Sequence, residues 1–162
     1  MNAIKGEILF SFESGEISAV NVSTALADLS VFMLGFSQSL NAQKGTKVEL
    51  LFKENELLLA KTSEQAALIS CGNVFAGVVA SIDKGELLWQ VFVKGLSHGT
   101  LKAVSFSGEH TALKDGWQKS LCAQDVDLSA LMSAQDGERL NLQPNDKVFC
   151  LVNPCDIIIR VL

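Results

Sequence analysis

The fold is decided by two stretches: Thr46-Lys-Val-Glu-Leu-Leu-Phe-Lys-Glu-Asn-Glu-Leu-Leu-Leu-Ala-Lys61 and Asp146-Lys-Val-Phe-Cys-Leu-Val-Asn-Pro-Cys-Asp-Ile-Ile-Ile-Arg-Val161. They align without gaps at an offset of 100 residues. Lys47 meets Lys147, Val48 meets Val148, Leu51 meets Leu151 and Glu56 meets Asp156, while Leu57-Leu58-Leu59 meets Ile157-Ile158-Ile159. Each stretch reads as strand, tight turn, strand: a hairpin with an acidic residue at the start of its second strand.

A second correspondence lies upstream. Gly6-Glu-Ile-Leu-Phe-Ser-Phe-Glu13 matches Gly77-Val-Val-Ala-Ser-Ile-Asp-Lys84 at an offset of 71 residues. In both, a glycine opens a period-two strand, a turn follows (Ser14-Gly15; Gly85-Glu86), and a second strand returns over Ile17–Val22 or Leu87–Val93. The same elements in the same order mark tandem structural units. The two offsets differ by 29 residues, so the second copy carries an insertion, placed around 107–125 with His110, Trp117 and Cys122 inside it. The expected division is a first barrel over 1–62 and a second over 68–162, joined by the polar linker Thr62–Ala67. Each copy offers four to five short strands between Gly, Asn and Ser turns, which predicts an all-β chain with short helices, built as two OB-like Greek-key barrels. The helical pieces are expected at Leu34–Leu40 and Ser129–Met132, and Trp89, Phe92 and Phe106 are expected to pack inside the barrels.

Composition narrows the function. The 162 residues are 48% hydrophobic and 19% charged, a core-forming balance that excludes wholesale disorder. The longest apolar stretches, such as Leu57–Ala60, fall far short of the ~20 residues of a membrane span, so none is expected. Met1–Lys5 runs straight into alternating strand, so no leader is expected either. The net charge of −5, with no Lys/Arg cluster, argues against a nucleic-acid partner. Cys71, Cys122, Cys150 and Cys155 form no C-x-x-C pair, and His98 and His110 have no ligand spacing to them. The reading is reduced thiols, some in the core, in a cytoplasmic protein without a zinc site. No nucleophile–base pair suggests an enzyme.

The stretch Ile69-Ser-Cys-Gly-Asn-Val-Phe-Ala-Gly77 resembles the opening of the Mop family, the molybdate-binding or TOBE domains, whose first strand begins Ile-Ser-Ala-Arg-Asn with a Gly four residues on. Ser70, Asn73 and Gly77 match; Cys71 stands at the Ala position and Gly72 at the Arg position. In the first copy Asn2 takes the Asn position and Met1 the Arg position. The stretch Leu40–Ala60 is similar to the family's closing pattern, with Lys53 at its turn lysine; the second copy repeats the pattern over Leu140 onward but has Asn153 there. The whole is similar to a tandem, di-Mop pair.

The resemblance implies binding of molybdate or tungstate, linked to molybdenum transport, storage or homeostasis. Such a dianion is held by inward-pointing donors: backbone N–H groups, hydroxyls and a few cations. By resemblance the oxyanion site draws on Ser70, Cys71, Gly72, Asn73 and Lys53, with Ser37 and Ser133 near the short helices. Asp136 occupies a position where a hydroxyl is expected. Both motif arginines are missing, and losing a charge-assisted hydrogen bond costs about 1.5–3 kcal/mol. The alternative function is therefore a ligand-free scaffold that serves as an interaction or regulatory subunit of a molybdate transporter or regulator. The resemblance also implies a homo-oligomer, a dimer or trimer.

Overall fold

The computed structural model describes residues 1–34, 43–62, 64, 66, 68–97 and 126–162. Ser37, His98, Phe106, His110, Trp117, Cys122 and the insertion around 107–125 lie outside the described residues. Among the described residues, ten strands form two curled, wholly antiparallel five-stranded sheets of OB-barrel type. They are β1 (Asn2–Ser14), β2 (Ile17–Thr24), β3 (Asp28–Leu34), β4 (Lys47–Phe52), β5 (Leu57–Ala60), β6 (Val74–Lys84), β7 (Leu88–Gly95), β8 (Val126–Ser133), β9 (Lys147–Val152) and β10 (Ile158–Val161). A helix, α1 (Ala134–Arg139), follows β8, and 3-10 turns at Glu54–Glu56 and Pro154–Asp156 follow β4 and β9.

The strand order corrects the closing hairpins expected from sequence. The first sheet runs β10-β4-β1-β2-β3 and the second β5-β9-β6-β7-β8. β4 and β5 do not pair with each other, nor do β9 and β10. Instead Leu57–Ala60 pairs with Phe149–Val152, and Ile158–Val161 with Val48–Leu51. Each half gives its last strand to the other half's sheet. The turn chemistry explains this. A two-residue hairpin reversal needs positive φ, but the only described non-glycine residues with positive φ are Asn141 and Asn145. The connections after Lys53 and Asn153 are single 3-10 turns whose flanking residues stay extended. They send the chain onward, and Leu57 and Ile157 then plug the core at 2% and 3% exposure.

The opening halves behave as read. β1 pairs with β2 and β6 with β7, each with a bulge at the corresponding place, between Ile8 and Phe10 and between Val79 and Ser81. The glycine that opens both patterns has a steric cause. A Cβ on Gly6 would lie 2.5 Å from Val22 Cγ1 and 2.6 Å from the Ser23 carbonyl oxygen, and one on Gly77 2.6 Å from Val93 Cγ1.

Other local expectations change. Leu34 is the last residue of β3, not the start of a helix, and the rest of Leu34–Leu40 lies outside the described residues. Ser129–Met132 belongs to strand β8, because Leu128 and Ala130 alternate inward while β7 supplies its ladder; the helix begins after it. Trp89 is buried as expected, but Phe92 points outward at 40% exposure, since its neighbours Val91 and Val93 occupy the inward register. A single apolar cluster runs through both sheets, from Ile4, Val20 and Phe52 to Phe75, Val91 and Val152, so the two barrels share one core.

Candidate functional site

The repeat creates two equivalent anchor points, each where one half's opening strand meets the other half's edge strand. At the first, Asn2 begins β1 opposite Phe52 and is 3% exposed. Its side-chain amide donates to the Ser129 carbonyl at 2.9 Å, and its Oδ1 accepts from the Ser129 N–H at 2.7 Å. At the second, Asn73 is 1% exposed; its amide donates to the Ser30 carbonyl at 2.7 Å and its Oδ1 accepts from the Ser30 N–H at 2.8 Å. Each asparagine thus replaces one rung of a β-ladder and ties β8 or β3 to the opposite barrel. Both groups of each carboxamide are engaged, which is how buried polar side chains are ordinarily satisfied.

Around Asn73 lie the other residues of the opening motif. The Cys71 thiol donates to the Val152 carbonyl at 3.1 Å, its N–H to Ile69, and Val152 N–H returns to the Asn73 carbonyl at 3.2 Å. Ser70 and Gly72 are exposed. Among the described residues no backbone carbonyl accepts from the N–H of Gly72 or Asn73, and a Cβ on Gly72 would meet nothing within 4 Å. The Ser70 hydroxyl likewise has no hydrogen-bond partner among the described residues. The second turn adjoins this point through Val152; Asn153 caps it, its Oδ1 accepting from Cys155 N–H at 3.0 Å. The side chains that bond here, Cys71, Asn73 and Asn153, are uncharged, while the acidic Asp156 closes the adjoining 3-10 turn.

The first anchor is electrostatically different. Lys53 sits beside it at the end of β4, with the first 3-10 turn packed against β8. The Lys53 N–H donates to Glu56 Oε2 at 2.6 Å, and its ammonium lies 3.7 Å from Glu56 Oε1. The Met1 ammonium pairs with Glu54, and that hydrogen bond holds the Glu54 carboxyl below its usual range. At the end of β8, Ser133 caps α1: it accepts from Asp136 N–H at 3.0 Å and donates to Asp136 Oδ2 at 2.8 Å. Asp136 also takes a 3.0 Å bond from Arg139. The Ser133 hydroxyl first, and Arg139 second, lower the Asp136 pKa, so it is anionic at neutral pH.

The structure therefore divides the residues selected from sequence. Ser70, Cys71, Gly72 and Asn73 come together on the edge of β3. Lys53, at the end of β4, and Ser133, at the end of β8, lie apart from that group, and each is engaged by a carboxylate, Glu56 and Asp136. Ser37 lies outside the described residues. Sequence reasoning missed Ser30 and Ser129, the backbone partners of the two asparagines. The match of Asn2 to Asn73 was the available signal that such partners existed.

Comparison with solved structures finds this architecture in a crystal structure of the cytoplasmic molybdate-binding protein ModG, grown from PEG with molybdate bound. The TM-score is 0.75 with 17% sequence identity, over 99% of this chain and 96% of that one. No protein-family model and no curated protein matches the sequence. The chain thus shares the fold of that molybdate-binding protein, two curled antiparallel sheets of OB-barrel type.

Proposed function

We propose that this protein binds a tetrahedral oxyanion, molybdate or tungstate, at the Ser70–Asn73 anchor, and acts without catalysis in cytoplasmic molybdenum transport, storage or homeostasis. The observation that carries this reading is the pair of exposed donors there that no described residue engages, the Ser70 hydroxyl and the Gly72 N–H. A free backbone N–H beside a hydroxyl suits a fully ionised dianion. The fold shared with a molybdate-binding protein supports the same ligand class. Asn73, 1% exposed, holds the loop in place through its side chain. Asn153, where the first half has Lys53, leaves this anchor without the turn lysine, and Gly72 leaves it without the motif arginine. Affinity is correspondingly ten- to a hundred-fold weaker than a charge-assisted site of this kind would give, by the roughly 1.5–3 kcal/mol of one lost ionic hydrogen bond.

A second reading is favoured by the first anchor. There Lys53 and Ser133 are already engaged with Glu56 and Asp136, which fits a scaffold that presents surfaces to a transporter or regulator component and holds no anion.

Titration calorimetry with molybdate, tungstate and sulfate separates the two. Binding at the second anchor gives heat with molybdate and tungstate, reduced about ten-fold in affinity by Ser70→Ala and unchanged by Lys53→Ala. Absence of heat with all three anions at about 0.1 mM protein, where even near-millimolar dissociation constants are measurable, overturns the binding reading in favour of the scaffold.

A further inference from the structure

The two sheets carry equivalent faces over their central strands, and the second sheet's is covered. Ala66, in the linker between β5 and β6, closes a helical turn there, its N–H donating to the Thr62 carbonyl at 3.2 Å. It packs with Ala60 and Leu151, and Val74 and Phe149 lie against them. Leu96 reaches the same face from β7, its N–H donating to the Ala76 carbonyl at 2.9 Å, and clusters with Ala76 and Val78. Ala76, Leu96 and Ala66 are all buried as a result.

Strand register identifies the matching positions on the first sheet. Ala3, Lys5 and Glu7 pair with Leu51, Glu49 and Lys47, just as Val74, Ala76 and Val78 pair with Leu151, Phe149 and Lys147. Arg160 pairs with Glu49 as Ala60 pairs with Phe149. The apolar row Ala60, Phe149, Ala76 is thus replaced by the charged row Arg160, Glu49, Lys5. No described segment lies over it, and an open depression of about 730 Å³ remains, with Ala3, Gly6 and Ala25 among its lining. Its charges do not cancel. Lys47 is paired with Glu7 and Arg160 with Glu49, while the exposed Lys5 has no carboxylate partner among the described residues.

We propose that this depression docks an acidic helical segment of another protein, which seats on the first sheet as the linker seats on the second. The covered face shows that this sheet geometry accepts a helical turn with a small residue, Ala66, pressed onto it. The charges select the segment. A carboxylate above Lys5 meets the cation that the face leaves unpaired. A basic segment meets Lys5 with like charge and finds both carboxylates engaged; Glu49 is 8% exposed and already bonded by Arg160. Opposed charges of this kind set which partner is accepted more than how tightly it is held. The chain's net charge of −5 opposes an acidic partner at long range, so recognition rests on Lys5 at contact distance. The depression is separate from the Ser70–Asn73 anchor, and docking here is independent of anion binding there.

The test titrates two blocked, alanine-rich peptides of about 15 residues, long enough to be partly helical, into the isotope-labelled full chain. One carries glutamate at every fourth position and the other lysine. Amide resonances are followed up to about 2 mM peptide, where millimolar dissociation constants are measurable. The glutamate peptide is expected to shift Ala3, Lys5, Gly6 and Ala25 and to leave Ala76 and Leu96 unmoved. The lysine peptide is expected to bind at least about ten-fold more weakly, and Lys5→Glu to reverse that preference. No shift with the glutamate peptide, equal shifts with both peptides, or a preference that survives Lys5→Glu overturns the proposal. Shifts centred on exposed apolar residues such as Phe12 or Leu88 overturn it too, as does self-association that moves Lys5 in the absence of peptide, since a second copy then fills the depression. Should Lys5→Glu lose its dispersed spectrum, Lys5→Gln is expected to abolish the preference for the glutamate peptide, and retention of the preference overturns the proposal equally.

Discussion

Replacing Asn73 by alanine should destabilise the protein by about 3 kcal/mol. The side chain is 1% exposed and makes two bonds to the Ser30 backbone, at 2.8 Å and 2.7 Å. Truncation removes both and orphans a partly buried N–H and carbonyl on the edge of β3. Each unsatisfied buried group costs about 1–3 kcal/mol, and partial access of water to Ser30 places the pair in the lower half of the combined range of about 2–6 kcal/mol. For a chain of this size each kcal/mol lowers the melting temperature by about 2–4 °C, so the midpoint should fall by about 6–12 °C. Asn73→Asp preserves shape and the acceptor but loses the donor, and sets a carboxylate oxygen against the Ser30 carbonyl; it should be at least as damaging. Asn2→Ala should cost a similar amount through Ser129. The double variant, losing about 6 kcal/mol from a total that for most domains is about 5–15, should fold poorly or not at all. The assay is thermal and urea unfolding followed by far-UV dichroism. A shift smaller than about 2 °C for both single variants would refute the idea that these carboxamides act as substitute ladder rungs.

Gly137→Ala, which in an exposed helix would stabilise by up to about 1 kcal/mol, should here destabilise by about 1–3 kcal/mol and shift tryptophan emission, because the new Cβ would lie 2.2 Å from Trp89 Cε3. Ser133→Ala should flatten the acid limb of stability: Asp136 has a lowered folded-state pKa, so its contribution is present above its ordinary value of 3.8 and is lost as pH falls through the folded value, and removing the hydroxyl shrinks that loss in acid unfolding curves. Cys150, wholly buried with its thiol pushed up to about 12, should resist iodoacetamide in the native state while exposed Cys155 is alkylated; peptide mass spectrometry reads both, and labelling of Cys150 at native pH would contradict the packing.

The repeat was legible because it rests on features that periodicity records: alternating apolar residues, turn glycines, and the glycine at positions 6 and 77 that no Cβ can replace. What periodicity does not record is which strand a strand pairs with. Leu57–Ala60 has the same alternation whether it lies against β4 or β9, and the 3-10 turn with extended flanks that sends it onward is visible only in the structure. Ser129–Met132 reads as helical because Leu, Ala and Met favour helices; the ladder from β7 overrides that preference. Phe92 was assigned inward for being aromatic, yet in a strand the register decides, and its neighbours Val91 and Val93 hold the inward positions. For the site, Ser70 to Asn73 were legible as a unit because they are contiguous. Within one chain the motif adjoins Val152 and hence the turn of Asn153, the counterpart of Lys53, a proximity that spacing in the sequence does not record.

Contacts between the halves occur twice, and this explains which residues differ between them. β5 on β9 is matched by β10 on β4, and Asn2 on Ser129 by Asn73 on Ser30. A change at any of these joints disrupts a shared core, so both copies keep the same chemistry there. Positions outside the joints carry no such constraint, and they are where the copies part: Lys53 against Asn153, Lys5 against Ala76, Glu7 against Val78. The strand exchange makes this division of labour possible. Because neither sheet is complete without a strand from the other half, the halves cannot separate. One half can then hold free donors at its opening motif while the other leaves a charged outer face open, with no loss of the joints that keep them one molecule.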